Sequence, residues 1–424
     1  MAISHTLEAR MQTAARYLTV ALPVLLVAGR GAADAGLSLA AILFVLRSAG
    51  TGDWSWLKRP WLKVALVLWL WLLVVSYFAL EVRPAYSEAA TWLRFVVFAA
   101  AAEDWILDRR WLRRLIVVTA VTLLLVGVDA IFQYVVGHDL LMHPKQDPYR
   151  LTGPFTHQVV GVYMMRLLFP ALLGLWAWGV ARPAARPAAV VLGSVVACAV
   201  FLSGERMAFL LVLLGLLATL MLWLGLKRAL AFAGVAVLVG GVVFLFGRHQ
   251  IAVNRQFMAT LGNIEHFSES GYAHLWRSGL KVGSARPLTG VGPHNFRVAC
   301  SRPGIGMPPT FSRRCNLHPH NMYIQWFAES GIPGLVGFVV LVGVWLRRLW
   351  RTGRQVNWSG WLTGPAIGVF VYLWPLGPTG GFFSNWNAVT FWLVLGWALA
   401  AARLAEQSAL PDGRGHGPAD AMAP

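Results

Sequence analysis

Charge is what this sequence has least of. Only 13% of its 424 residues are Asp, Glu, Lys or Arg, and the two acids together number 18. Soluble domains carry about 25% charged residues, so 57% hydrophobic residues, 21 tryptophans and a positive mean hydropathy exclude a soluble globular protein. Strand-like alternation of apolar and polar residues is missing, so the backbone amides of membrane-crossing stretches are satisfied only as helices. A cleavable signal peptide is missing too: the first apolar run has no small-x-small cleavage pattern and a second run follows it directly.

What is present is an all-α polytopic membrane protein. Apolar stretches able to cross roughly 30 Å of hydrocarbon are expected at about twelve places: 11–29, 33–48, 61–80, 88–106, 115–136, 158–180, 187–203, 206–225, 229–247, 331–350, 360–377 and 386–404. Lys and Arg in short loops resist translocation. Placing the N-terminus in the cytoplasm puts Arg10, Arg16, Arg47, Lys58, Arg59, Arg109, Arg110, Arg113, Arg114, Arg347, Arg348, Arg351 and Arg354 inside. The segment 248–330 is then an outward-facing loop domain containing an interfacial helix, and 407–424 is a disordered cytoplasmic tail. In a bacterial inner membrane the outer side is the periplasm.

From Arg248 to His320 the outer loop holds nine Lys or Arg against two Glu. Because the positive-inside rule does not govern loops of this length, the excess points to anionic partners such as phosphate head groups or pyrophosphate. A solvated loop lying on the anionic membrane surface is the plainer reading. Cys198 falls in an expected span. Cys300 and Cys315 share the outer loop, where an oxidising compartment favours a disulfide over two separate thiols or a zinc site.

Chemistry-bearing residues cluster at outer helix ends. In "HPHNMYIQWFAESGIPG" (His318–Gly334) the stretch 321–330 is expected as a short interfacial helix with Tyr323, Trp326 and Phe327 at headgroup depth, and "GIPG" resets the chain. Gly331, Gly334 and Gly337 form a small-residue stripe that permits close packing. His320, just before that helix, is suited to take a proton from a hydroxyl. Arg206 stands at the outer end of a helix, where a guanidinium grips phosphate oxygens in pairs. Arg94, Asp129 and Arg166 lie inside expected spans, where ionisable groups face a cavity or a partner. Arg94 and Arg166 are candidates to line a lipid-phosphate cavity, and Asp129 to pair with one of them. For each arginine the plainer alternative is a side chain that snorkels to the interface.

The pattern His-Asn, nine residues, Gly, two residues, Gly is met by His320, Asn321, Gly331 and Gly334. It resembles the signature of bacterial O-antigen ligases and of the related O-antigen polymerases and protein O-oligosaccharyltransferases. "LWRSGLKVGSARPLTGVGPHNF" (Leu275–Phe296), "FLSGERMAF" (Phe201–Phe209) and "RLTGPFTHQ" (Arg150–Gln158) resemble further elements of the family, in the family's order. The His-Asn of His294 and Asn295 does not keep the nine-residue spacing.

The resemblance implies a fold related to GT-C glycosyltransferases. It also implies inverting transfer of a glycan from an undecaprenyl-pyrophosphate-linked donor to a lipid A-core acceptor, without cofactor or metal. With no Asp-x-Asp pair in the outer segments, arginines must carry the leaving group's charge. The catalytic residues expected are His320, Arg206 and Arg277; Arg150, Tyr149, Arg94, Arg166, His318 and Asn321 are expected to bind substrate. Membrane lipids are the other expected partners and nucleic acid is not one. A polymerase or oligosaccharyltransferase using the same donor is the near alternative. A lipid transporter is the distant one, disfavoured because the two halves show no related, interrupted helices.

Overall fold

The computed structural model describes residues 4–145, 150–156, 160–247, 249–303, 305, 315, 318–377 and 379–409. Its helices are α1 (His5–Ala28), α2 (Arg30–Thr51), α3 (Pro60–Tyr77), α4 (Val82–Ala101), α5 (Arg109–Val136), α6 (Val160–Trp178), α7 (Ala185–Leu202), α8 (Arg206–Leu224), α9 (Leu226–Gly247), α10 (Ile251–Glu265), α11 (Gly271–Ala285), α12 (Phe296–Cys300), α13 (Met322–Gln355), α14 (Gly360–Tyr372) and α15 (Asn385–Ala409). Among the described residues no strand occurs, only an isolated bridge between His138 and Pro144.

Among the described residues ten helices are long and apolar enough to cross a membrane. The other two expected spans correspond to α4, whose 20 residues include Arg83, Glu88 and Arg94, and to α14, which has only 13. Helix α14 and the second half of α4 are wrapped by protein rather than lipid. Phe95, Phe98 and Ala99 of α4 and Leu362, Val369 and Val371 of α14 are buried. Helices α6 and α15 are the most enclosed of the spans, while α9 sits at the periphery and exposes Val237, Leu238 and Phe246. Helix α15 continues to Ala409, so Gln407 to Ala409 of the expected tail are helical; 410–424 lie outside the described residues.

Buried tryptophans run as a ladder through the bundle. Trp326 meets Trp92 at 6.0 Å between ring centroids, Trp92 meets Trp392 at 5.7 Å, Trp392 meets Trp345 at 5.7 Å, and Trp345 meets Trp61 at 6.3 Å. Three of these contacts are edge-on, the geometry that places the positive edge of one ring on the negative face of the next. At the Trp61 end a polar cluster closes the bundle. Trp61 Nε1 donates to Glu103 at 2.9 Å, Arg348 bonds both Glu103 (2.6 Å) and Glu406 (3.2 Å), and Arg16 pairs with Asp108 at 2.7 Å.

At the Trp326 end the break expected near "GIPG" is present as a kink within α13. Gly331 adopts φ +71°, ψ −172°, and a loop from the other motif stitches the break. Val291 N and Gly292 N donate to the carbonyls of Ala328 and Glu329 at 3.0 Å each, Ile332 N donates to Pro287 O at 2.7 Å, and Trp71 Nε1 donates to Ser330 O at 2.9 Å. These bonds satisfy the carbonyls and amide that a broken helix leaves without partners. The glycines of the two motifs are therefore explained together. A Cβ on Gly290 would stand 2.5 Å from the Glu329 carbonyl carbon, and one on Gly331 would stand 2.2 Å from Leu288 O. In the stripe Gly337 receives Leu68 of α3, as close packing requires, but the neighbour of Gly331 is the Pro287–Leu288 backbone rather than a helix.

Gly331→Ala is accordingly expected to cost about 1–3 kcal/mol for the positive-φ, extended-ψ backbone alone, before any clash with Leu288. Gly343→Ala, with nothing within 4 Å of its Cβ position, is the control. Thermal unfolding in detergent should show a lowered midpoint only for Gly331→Ala; equal midpoints would remove the steric role given to this glycine.

Trp326 corrects an expectation. Rather than lying at headgroup depth it is fully buried, stacked on Phe338 at 4.9 Å and covered by Phe382 and Phe383. The chain between α14 and α15 folds back over it, and no periodicity in 321–330 announces that cover.

Candidate active site

Three short connections and two helices of the outer loop converge at the end of the bundle that carries His320. Beneath them Gln133 of α5 bonds Thr152 and Gly153 through its side chain at 2.9–3.2 Å, and Leu151 N donates to Ser203 O, fixing the strip that bears Arg150 against the α7–α8 turn. That turn passes through Gly204 at φ +71° and delivers Glu205 and Arg206 to the N-terminus of α8. Helix α10 docks on it: Arg255 Nε donates to Gly204 O at 2.9 Å and Gln256 Nε2 to Phe201 O at 2.7 Å.

The result is a cavity of about 150 Å³ whose lining includes Arg150, Glu205, Arg206, Tyr272 and Trp276. Glu205 is at its electrostatic centre. Arg150 Nε lies 3.4 Å from Glu205 Oε1, and burial raises the Glu205 carboxyl while the charges of Arg150, Arg255 and Arg206 pull it back down. Three guanidinium groups and a helix N-terminus together favour an anion. Burial likewise raises the Tyr272 hydroxyl, with Glu205 adding to the effect.

His320 adjoins this cluster through Tyr272, ring to ring at 5.8 Å and edge-on. Its own backbone is left-handed at φ +54° and is held there: its carbonyl accepts from Thr379 N at 2.8 Å, and Asn321 begins the next helix. Asn321 does two jobs at once. Its Oδ1 accepts from Tyr323 N and Ile324 N, capping α13, and its Nδ2 donates to Pro375 O at 2.7 Å. A non-glycine residue strained in this way and held by its neighbours is a mark of functional positioning.

The two histidines differ in chemistry. Their rings are 4.2 Å apart. Burial pulls His318 down to about 3, with the charge of His320 adding to it, so His318 is a poor base at neutral pH. His320 is lowered as well, first by burial and further by Arg150, with a backbone hydrogen bond at Thr379 opposing, so it is neutral and able to accept a proton. Gly381 packs on His318, where a Cβ would stand 3.4 Å from its ring.

Other expected residues are elsewhere. Arg277 is exposed and its guanidinium bonds the Ser268 carbonyl. It follows Trp276 by one position on α11, and about 100° of helical rotation turns it off the cavity face. Arg94 is neutralised by Asp34 (2.9 Å) and also donates to Asn385 (3.2 Å), and it does not line the cavity. Arg166, buried, donates to Asn387 Oδ1 at 2.6 Å and lies over the rings of Tyr372 and Trp386; Asn387 in turn donates to Gly381 O, so Arg166 supports the floor beneath His318. Asp129 pairs with neither arginine; its Oδ1 accepts from Leu140 N at 2.7 Å. Tyr149 lies outside the described residues. Cys300 and Cys315 are bonded, with Cα atoms 5.4 Å apart, in a small separate core with Val291 and Phe296. Asn295, discounted on spacing, is structural: its Oδ1 accepts from Glu81 N at 2.7 Å.

Sequence reasoning missed Glu205 and Arg255. Glu205 sits beside Arg206 within a motif already singled out, and an acid next to a phosphate-gripping arginine was the available signal. Arg255 had none, since one of nine bases in a long loop has no marked partner.

No curated protein matches the chain. Among solved structures, one chain of a peptidoglycan synthase complex described as coordinating polymerization and crosslinking is 16% identical over 85% of this chain and 99% of its own, with a TM-score of 0.44, too weak a likeness to bear on chemistry. Residues 188–339, which include the α7–α8 turn, Arg206, Arg255, Tyr272 and His320, match the family model described as O-Antigen ligase, a match that supports membership of the O-antigen ligase superfamily.

Proposed function

We propose that this protein is an O-antigen ligase that transfers O-polysaccharide from undecaprenyl pyrophosphate to lipid A-core oligosaccharide, in the periplasmic leaflet of a bacterial inner membrane, with both termini in the cytoplasm. One observation carries the reading: a strained histidine stands beside a cavity where Arg150, Arg206 and the N-terminus of α8 surround a single carboxylate whose charge Arg255 also feels. His320 takes the proton of the acceptor hydroxyl. The freed oxygen attacks the anomeric carbon from the face opposite the pyrophosphate, and the bond from carbon to phosphate oxygen breaks with its electron pair remaining on the leaving group. Arg150, Arg206 and Arg255 hold that growing charge, which is where fixed cations lower a barrier most. Arg255 takes the part that the sequence pattern had given to Arg277. Glu205 occupies the arginines between turnovers and gives way to the donor.

The test is purified protein supplied with undecaprenyl-pyrophosphate glycan and, in separate reactions, lipid A-core, undecaprenyl-linked glycan or a serine-rich protein, each with and without excess chelator. Product on lipid A-core in both conditions is expected. Product only on the undecaprenyl-linked chain makes the protein a polymerase, product on the protein makes it an oligosaccharyltransferase, and loss restored by magnesium overturns stabilisation by arginines alone.

The pH profile offers a second check. A base must be unprotonated, and His320 is held below the ordinary imidazole value of 6.5. The acid limb of the rate should therefore be centred below 6.5, with the rate falling as pH drops through the lowered value. An acid limb centred above pH 7 would assign the base elsewhere.

A further inference from the structure

A cavity of about 600 Å³ lies at the opposite end of the bundle from His320, between the start of α3 and the end of α13. Its walls combine Trp61 and Val344 with Arg59, Arg347, Arg348 and Arg351, and a second cavity of about 350 Å³ adjoins it through Arg59 and carries Lys58. From Gly331 to Gln355 helix α13 covers roughly 36 Å at 1.5 Å per residue, a full bilayer, so this cavity faces the other leaflet.

Charge is unevenly assigned within it. The floor is balanced: buried Glu103 receives Arg348 at 2.6 Å and Arg59 at 3.6 Å, Glu406 receives Arg348 and Thr352, and Asp104 binds Arg59. Arg347 and Arg351 are different. They stand one turn apart on the same face of α13, both exposed, and among the described residues neither has a hydrogen bond or ion pair. The positive-inside rule accounts for basic residues in loops; it does not account for a preformed cavity that places two unneutralised arginines above an apolar wall. Val344 lies on α13 one turn further into the bundle than Arg347 and Arg348, so a ligand that fills the cavity meets cations first and hydrocarbon next.

We infer that this cavity is a binding site for the phosphodiester headgroup of an anionic phospholipid from the leaflet opposite the active site, gripped by Arg347 and Arg351 with its glycerol and first acyl carbons against Trp61 and Val344. Basic pockets between membrane helices recognise such headgroups, at about a fivefold gain in affinity per Lys or Arg near the surface. A soluble phosphate carries at least as much negative charge but has no use for the apolar wall.

The experiment is displacement of fluorescently labelled phosphatidylglycerol from the full-length protein in zwitterionic detergent. Phosphatidylglycerol should compete strongly and phosphatidylcholine weakly. Arg347→Gln with Arg351→Gln should weaken phosphatidylglycerol by about tenfold or more, while Arg354→Gln, on the same helix but outside both cavities, should not. Thermal midpoints without lipid should agree among the three proteins, and a Val344→Asp variant should weaken the lipid without changing competition by inorganic phosphate. Equal competition by phosphatidylcholine, or an equal loss in Arg354→Gln, rejects the site. Inorganic phosphate or glycerol 3-phosphate competing as well as the lipid would reject the lipid as its occupant.

Discussion

Replacing His320 with alanine is expected to lower glycan transfer by about 10²–10⁴, the usual contribution of a positioned base, with donor binding nearly unchanged. The imidazole touches the proton of the acceptor in the proposed step, not the pyrophosphate, so its loss should appear in turnover. His318→Ala is the informative companion. Among the described residues His318 Nε2 is buried without a hydrogen-bond partner, and its ring rests on Gly381 and on His320. Removing it should loosen the placement of His320 and cost less, on the order of tenfold. The sign of the comparison decides the assignment: an active His320 variant beside a dead His318 variant would mean that the base is the other histidine.

Arg206→Lys should be the second large effect, because it separates charge from geometry. Lysine keeps the positive charge and loses the planar fork that holds two oxygens at once. At the first position of α8 the side chain lines the cavity next to Glu205 and shares its field with Arg150 and Arg255. Donor affinity should therefore fall modestly and turnover by about 10²-fold, since charge builds on the leaving group as the bond breaks. Arg206→Ala should lose both. An arginine that only reaches the interface tolerates lysine well, so near-normal turnover in the lysine variant rejects the two-oxygen grip, and near-normal turnover in both variants takes Arg206 out of the site.

The spans were legible because an apolar run long enough to cross hydrocarbon has few other uses, and each expected run has its helix. The motif glycines were legible as positions, while their reason was not: Gly290 and Gly331 are needed because two segments some forty residues apart press backbone to backbone, a fact with no local trace. Trp326 was misplaced for a related cause. An aromatic residue near a membrane surface and one buried under a returning loop look alike until Phe382 and Phe383 are seen above it. For the arginines the sequence supplied the type of residue but not its partners. Arg94 has Asp34, sixty residues away, and Arg277 has a carbonyl on its own helix's approach, whereas Arg255 reaches Gly204 from a helix that carried no motif.

That the arginine cluster beside Glu205 is the donor site is tested by a structure of the protein with undecaprenyl pyrophosphate bound. The diphosphate is expected among Arg150, Arg206 and Arg255, within hydrogen-bond distance of their guanidinium groups, with Arg150 released from Glu205 and His320 facing the reacting end. A diphosphate bound instead at Arg94, at Arg166 or at the Arg347 cavity, with the Arg150–Glu205 pair intact, would contradict it.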